Sequence, residues 1–237
     1  MSLKSFLKTF SRSSARQNFR DGWEPEGASF AVFVKGRKVV DLWGGYADKQ
    51  AARTWKEDTI TVTFSATKAV AAVCIAMLAD RGRLKYDDLV SKHWPGFAKN
   101  GKGNITIEWV LSHMSALPYL DTQITEEMAR DHNLMRKVLE KEAPKLRAGE
   151  DNAYHAYTYG WLVDQIWTIE IILTPDFQTD LMMGHPGHGC QQVMFDMKNR
   201  VAFAYVTNGL KLGIYDLCRN YARLQKALYD VLDAQAV

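Results

Sequence analysis

The chain has 237 residues, of which 47% are hydrophobic, so it is long enough to bury a core and to form one large domain or two small ones. Its 30 basic and 27 acidic residues are mixed along the sequence and give a net charge of +3. Because they form no basic stripe, no nucleic-acid partner is expected. The longest apolar run, Ala69 to Ala79, is shorter than the roughly 20 residues needed to span a bilayer, so no membrane span is expected.

The N-terminal segment 1–22 is basic, rich in serine and free of acidic residues before Asp21. This composition is typical of a mitochondrial transit peptide. The alternative is an amphipathic first helix in which Phe6, Phe10 and Phe19 pack onto a sheet. We therefore expect a cytoplasmic protein, or a mitochondrial one if the segment is a transit peptide.

The cysteines are Cys74, Cys190 and Cys218, an odd number without regular spacing. This pattern does not resemble the disulfide framework of a secreted protein. A reducing compartment is therefore expected.

Two pairs of strands are predicted, one near each end of the chain. The first is GASFAVFVKGRKVVDLWGG, in which two runs rich in valine and aromatic residues turn at Lys35-Gly36. The second consists of QQVMFDM and RVAFAYVTN on either side of the polar turn Lys198-Asn199. Both patterns indicate antiparallel hairpins.

A closing helix is predicted from about Ile214 to Ala234, where apolar residues recur at helical spacing and would cover one side of a sheet. Its predicted apolar face comprises Ile214, Leu217, Cys218, Tyr221, Leu224, Leu228, Val231 and Leu232. The middle, from Ser65 to about Ile166, is predicted to be mostly helical. Breaks are expected at Pro95-Gly96, Gly101 to Gly103, Pro118 and Pro144.

Strands at both ends with helices between them predict a single α/β domain over 1–237. Residues 23–64 and 184–237 would form a sheet lobe and 65–166 a helical lobe, joined by a short connection at 167–183. The strands would pair into one antiparallel sheet, with a cleft between the lobes.

The stretch TVTFSATKAVAAVCIAMLADRGRL places Lys68 three residues after Ser65. If a helix begins near Ser65, the two side chains are neighbours on one face. The apolar run from Ala69 to Ala79 predicts a helix buried on every side, which would carry the pair inward. Burial lowers the pKa of an amine, so Lys68 would accept the serine proton as a general base. The alternative is an N-cap serine followed by a lysine that reaches solvent.

The sequence resembles the serine β-lactamase-like hydrolases, which include class C β-lactamases, related esterases, penicillin-binding proteins and mitochondrial LACTB-type proteins. The resemblance covers the first hairpin and the segments FSATKAVAAVCIAMLADRGRLKYDD, ITIEWVLSHMSALP, YHAYTYGWLVDQI and GHPGHGCQQVMFD. It implies a β-lactamase/transpeptidase-like fold. It also implies that Ser65 is the acylated nucleophile and Lys68 its base.

The second family motif is a tyrosine, often in Tyr-x-Asn, that faces the nucleophile. Tyr154 matches it, which implies a role in proton transfer and in protonation of the leaving group. The asparagine is absent, since Ala156 stands there, and this weakens any expectation of β-lactam substrates. VLSHMSALP matches a structural signature of the family in which Ala116 replaces the usual glycine. His113 in that signature is expected to be a buried histidine that bonds to the backbone.

The third motif, Lys-Thr-Gly or His-x-Gly on a strand beside the cleft, resembles His185-Pro186-Gly187. The resemblance implies that His185 binds a substrate carboxylate or polarises the site, and that Gly187 lets the acyl group approach the strand closely. The backbone N–H groups of Ser65 and His188 would form an oxyanion hole.

His185, His188 and Cys190 permit a different reading of this segment, a zinc site. Three residues along one extended strand do not all point to the same side, however, and no second cluster of ligands is evident. A phosphate-binding loop is also disfavoured, because GHPGHG lacks the lysine–serine pair. We therefore expect neither a metal nor a cofactor.

The segment WTIEIILTPDFQTDLMM replaces a much longer stretch of the family, and its TIEIIL portion is a candidate for a short replacement strand. We expect an acyl-enzyme hydrolase of an ester, amide or peptide, with esters preferred over β-lactams. The alternative is an inactive family member that acts as a self-associating scaffold or binding protein, because a shortened wall exposes sheet edges or apolar surface.

Overall fold

The computed structural model describes residues 3–170, 182–212 and 217–234. The chain divides into two compact units. The first comprises Met1–Ala69 and Gln178–Val237, and the second comprises Val70–Phe177. The predicted lobe boundaries and the single-domain organisation stay predictions.

A six-stranded antiparallel sheet forms the centre of the first unit, in the order β3-β2-β1-β6-β5-β4. Because β1 pairs with β6, the N-terminal and C-terminal hairpins join in one sheet, as predicted. The strands are β1 (Gly27–Val34), β2 (Arg37–Asp48), β3 (Arg53–Thr54), β4 (Met182–Gly187), β5 (Gln191–Asp196) and β6 (Val201–Thr207).

Both predicted hairpin turns are confirmed. Lys35 and Gly36 join β1 to β2 with φ angles of 50° and 75°. Positive φ at both central residues gives the turn a twist that matches the flanking strands. Between β5 and β6, the side chain of Asp196 accepts a hydrogen bond from the backbone N–H of Asn199 at 2.9 Å, which stabilises the second turn.

Two helices, α1 (Leu3–Arg20) and α8 (Arg219–Asp233), pack against each other, and α1 also packs against β2. The apolar side of α8 lies in the core against the sheet, as predicted. Phe19 packs on β2, where its ring lies 3.9 Å from the position of a Cβ at Gly44. The structure does not describe the side chains of Phe6 and Phe10. The transit peptide stays a prediction. The buried core includes Phe30, Val32, Val40, Phe203, Tyr205, Tyr221, Leu224 and Leu228.

The start of α8 differs from the prediction. Ile214 lies outside the described residues, and Leu217, expected on the apolar face, is 75% exposed. Leu217 precedes the first helical residue, Arg219, so the helical period does not yet apply to it. Cys218 is buried, as expected, but it is the N-cap residue of the helix.

Two of the three cysteines are paired, contrary to the expectation from their number and spacing. Cys190, next to β5, forms a disulfide with Cys218 across a sequence separation of 28, and their Cα atoms lie 5.6 Å apart. Cys74 is free. The fold brings these two residues together, and spacing along a chain does not report such proximity. The expected reducing compartment stays a prediction.

The second unit is helical, and α2 leads into it from the first. The predicted breaks are confirmed: Pro95-Gly96 lies in the short 3₁₀ turn Pro95–Ala98, and the other three breaks lie between helices. Its core is a cluster of apolar side chains that includes Ile75, Leu78, Phe97, Ile107 and Leu162. The helices are α2 (Thr67–Asp80), α3 (Val90–His93), α4 (Ile107–Leu111), α5 (Glu126–Arg130), α6 (His132–Lys141) and α7 (Thr158–Glu170).

The expectation that α2 is buried on every side is wrong. Val70, Val73 and Met77 are 52%, 39% and 39% exposed, whereas Ile75 and Leu78 are fully buried. The three exposed residues stand at i, i+3 and i+7, so they share one face of the helix. Apolar composition all around a helix does not specify which face another element covers.

The candidate replacement strand at 168–173 is wrong for its first half, because residues 168–170 continue the hydrogen-bonded helix α7. Residues 171–173 lie outside the described ones. Within the described ranges, no helix is both long enough and apolar enough to cross a membrane.

Candidate active site

Ser65 and Lys68 lie together where α2 begins. Ser65 belongs to a single 3₁₀ turn, Phe64–Ala66, that runs directly into α2, and Lys68 lies in the first turn of that helix. The Nζ atom of Lys68 donates a hydrogen bond to Oγ of Ser65 at 3.2 Å, in a partly buried position. The predicted contact between the hydroxyl and the amine is therefore present. The N-terminus of this 14-residue helix favours negative charge near Ser65.

The turn that carries Ser65 contains a strained residue. Phe64 has a φ of 47°, a left-handed conformation that is uncommon outside glycine, asparagine and aspartate. Such a conformation costs about 1–3 kcal/mol and clusters at functional sites. The ring of Phe64 packs edge-on against the ring of His188, with centroids 5.4 Å apart. Phe64 was not predicted from the sequence, because no residue pattern signals this conformation.

Gly187, at the end of β4, lies directly against the nucleophile turn. A Cβ at this position would collide with the carbonyl oxygen of Thr63 and would lie 3.1 Å from the backbone nitrogen of Ala66. Only glycine allows the strand to approach the turn this closely. This packing brings the backbone after β4, including His188, next to the residues that flank Ser65. The predicted approach of an acyl group to Gly187 stays a prediction.

His185, the other side chain predicted in this motif, is half-buried on β4. Its Nδ1 donates a hydrogen bond to the backbone carbonyl of Pro186 at 2.6 Å, since a carbonyl can only accept. Burial lowers the pKa of His185, and the positive charge of Lys68 lowers it further. The imidazole is therefore neutral at pH 7, with Nε2 as an acceptor.

Tyr154 belongs to the second unit, between α6 and α7, and its side chain is 48% exposed. Its ring packs against that of His113, with centroids 4.9 Å apart. Nδ1 of His113 accepts a hydrogen bond from the backbone N–H of His155 at 3.0 Å, which confirms the expected backbone bond, but His113 is partly buried and not fully buried as expected. The approach of Tyr154 to Ser65 stays a prediction.

A buried histidine next to Tyr154 was not predicted to have a role. Nε2 of His155 accepts a hydrogen bond from the backbone N–H of Leu117 at 3.0 Å and lies 3.0 Å from Oγ of Ser115. Its Nδ1 donates to the carbonyl of Ala153 at 2.6 Å. His155 therefore ties the Tyr154 segment to the Ser115–Leu117 segment. His155 stands at the unspecified middle position of the Tyr-x-Asn motif, so the motif did not predict these hydrogen bonds.

Cys190 does not supply the thiolate that the alternative zinc site would need, because its sulfur is bonded to Cys218. Among the described residues, no group of three histidine, cysteine, aspartate or glutamate side chains is arranged to hold a metal ion.

Residues 15–168 match the family model described as Beta-lactamase. The chain belongs to the β-lactamase family. It is 39% identical over 137 residues to the esterase/beta-lactamase LipL of Mycobacterium tuberculosis, a stretch that covers 58% of this chain and 32% of that protein. The chain thus aligns with about a third of this curated relative.

The structure is similar to that of a family VIII carboxylesterase, with a TM-score of 0.85 and 20% identity over 95% of this chain and 97% of the esterase. It is also similar to a penicillin-binding protein homologue from Caulobacter crescentus, with a TM-score of 0.83, 23% identity, and the same shares covered. The β-lactamase/transpeptidase-like α/β fold predicted from the sequence is confirmed.

Proposed function

We propose that the protein is a serine hydrolase that cleaves an ester through an acyl-enzyme on Ser65. The observation that carries the proposal is the hydrogen bond from Lys68 to Ser65 at the N-terminus of α2, 3.2 Å long. A serine hydroxyl is a weak nucleophile until an adjacent base removes its proton, and this contact supplies the base.

In acylation, Oγ of Ser65 attacks the carbonyl carbon of the ester while its proton passes to Nζ of Lys68. Negative charge develops on the carbonyl oxygen. We assign the backbone N–H groups of Ser65 and His188 as its hydrogen-bond donors. A Cβ built on Gly187 would lie 3.1 Å from the backbone nitrogen of Ala66. The end of β4, which precedes His188, therefore lies beside the turn that carries Ser65, and this supports the assignment.

The tetrahedral intermediate collapses when the bond from carbon to the alcohol oxygen breaks. The alcohol leaves with a proton supplied by Lys68 or by Tyr154, whose role is inferred from its match to the family tyrosine. In deacylation, water attacks the acyl-enzyme and gives a proton to the same base. The products are a carboxylic acid and free Ser65.

The substrate class is inferred from His185. Its pKa is lowered by burial and by Lys68, so the ring is uncharged at pH 7. An uncharged imidazole does not offer the positive charge that would hold the carboxylate of a penicillin or cephalosporin. We therefore propose neutral esters as substrates and expect p-nitrophenyl butyrate to be turned over faster than any cephalosporin.

The test is the hydrolysis of p-nitrophenyl butyrate at pH 7.5 by the full chain and two variants. Ser65→Ala should lower kcat/KM about a thousandfold, because the nucleophile is lost. The control Ser13→Ala, an exposed serine of α1, should leave kcat/KM unchanged. Equal hydrolysis by Ser65→Ala and the wild-type chain would contradict the proposal. A wild-type chain without activity would favour the scaffold instead.

A further inference from the structure

A cavity of about 420 Å³ lies within the first unit, between α1, the sheet and α8. None of the residues assigned to hydrolysis lines it. Its volume falls in the range of about 300–1,000 Å³ that is typical of small-molecule sites. The cavity therefore has room for a ligand that the hydrolytic site does not use.

Apolar side chains from all three layers form most of the wall. Ala15 and Phe19 come from α1, Phe30 and Leu42 from the sheet, and Leu224 from α8. Such a wall favours an aliphatic or aromatic group over a polar one, because transfer of apolar surface from water into an apolar cavity is favourable.

Two acidic and two basic side chains also line the cavity, and they differ in whether they form ion pairs. Asp41 is paired with Lys38, and Glu24 is paired with Lys211 at 3.0 Å. Arg12 and Arg16 have no ion pair with any other described residue. Both are exposed, so they lie where the cavity opens to solvent. The opening thus carries two uncompensated positive charges.

Glu24 is buried at the inner end of the cavity. Its carboxylate accepts hydrogen bonds from Thr207 at 2.8 Å and from Asn220 at 3.1 Å, and also from the hydroxyl of Tyr205. Because Thr207, Asn220, Tyr205 and Lys211 already donate to Glu24, a ligand carboxylate at the buried end would have to compete with Glu24 for these donors. An anionic ligand would therefore place its charge at the arginines and its apolar part inside.

We propose that this cavity binds a medium-chain carboxylate, with the alkyl chain between α1 and the sheet and the carboxylate on Arg12 and Arg16. Guanidinium groups bind carboxylates through paired, charge-assisted hydrogen bonds, which suits two arginines one helical turn apart. A cationic amphiphile of equal chain length meets the same two charges and is excluded. The proposal does not depend on hydrolysis at Ser65.

The experiment is calorimetric titration of the full chain with dodecanoate, below the concentration at which it forms micelles, at pH 7.5. The double variant R12Q/R16Q should bind dodecanoate at least about tenfold more weakly than the wild-type chain. Both arginines are exposed and glutamine is a good helix former, so the variant should fold. An unchanged midpoint of urea unfolding checks that it does.

Two matched controls separate charge from cavity. Arg20→Gln removes a positive charge from the same helix but outside the cavity lining, and it should leave the dissociation constant unchanged. Ala15→Leu keeps the charges and fills part of the cavity, so it should weaken binding. Dodecyltrimethylammonium, with the same alkyl chain and the opposite charge, should not bind measurably.

Three outcomes would overturn the proposal. The first is no heat of binding for dodecanoate with the wild-type chain. The second is equal affinity in the wild-type chain and in R12Q/R16Q. The third is equal affinity for dodecanoate and dodecyltrimethylammonium, which would indicate an apolar surface without charge selection.

Discussion

At the scale of single residues, the contact between Ser65 and Lys68 was predictable because it is local. Residues three apart at the start of a helix are neighbours whatever the rest of the chain does. Phe64 was not predictable in the same way. A phenylalanine side chain does not favour the left-handed backbone at φ 47°, so the local sequence does not signal it.

A prediction at this scale concerns the buried His155. Burial lowers its pKa, and the ring accepts a hydrogen bond from Leu117 while donating one to Ala153, so it is neutral in the folded protein. In the unfolded chain a histidine takes up a proton near pH 6.5. Because the unfolded state then binds more protons, the free energy of unfolding should fall as the pH falls through 6.5 towards the lower folded value.

This prediction is checked by urea unfolding at several values between pH 7.5 and pH 5. The fall in unfolding free energy should be smaller in His155→Gln, which has no titrating ring at this position. The same pH slope in the wild-type chain and in the variant would show that other groups cause the fall.

At the scale of elements, the hairpins were predictable and the disulfide was not. The hairpin signals are local: a turn pair, Lys35-Gly36 or Lys198-Asn199, separates two neighbouring strand-like runs. The Cys190–Cys218 pair depends on where α8 starts relative to β5, which is a tertiary property. The exposed face of α2 was missed for the same reason.

Lys102 shows how one side chain can hold the end of a helix. It is fully buried, and its Nζ donates to the carbonyl oxygens of Lys99 at 2.8 Å and Glu140 at 3.1 Å, and also to that of Glu142. The last two carbonyls lie at the C-terminal end of α6, where no helical donor is available. Burial lowers the pKa of Lys102 to about 8, so the ammonium still carries all three protons at pH 7.

Lys102→Met should lower the free energy of unfolding by about 3 kcal/mol, because it leaves buried carbonyl oxygens without donors. The control is Lys99→Met. Lys99 is exposed and its Nζ pairs with Glu140 at 2.9 Å, so its loss should cost less than about 1 kcal/mol. Urea unfolding at pH 7 measures both. Similar losses for the two variants would mean that the buried amine contributes no more than the surface ion pair.

At the scale of the whole molecule, the sequence predicted the joining of the two hairpins because strands at both chain ends need partners. Their pairing through β1 and β6 is confirmed. What the sequence did not specify is that α7 continues to Glu170. Residues 168–170 of the candidate strand are helical instead, because apolar runs of that length suit a helix or a strand equally.

Covalent acylation of Ser65 is tested by mass spectrometry of the full chain after reaction with a fluorophosphonate. We expect one adduct per chain, located by peptide mapping on Ser65 and absent in Ser65→Ala. Slower labelling of Lys68→Met is expected, because the hydroxyl loses its base. An unlabelled wild-type chain, or an adduct on another residue that persists in Ser65→Ala, would contradict the account.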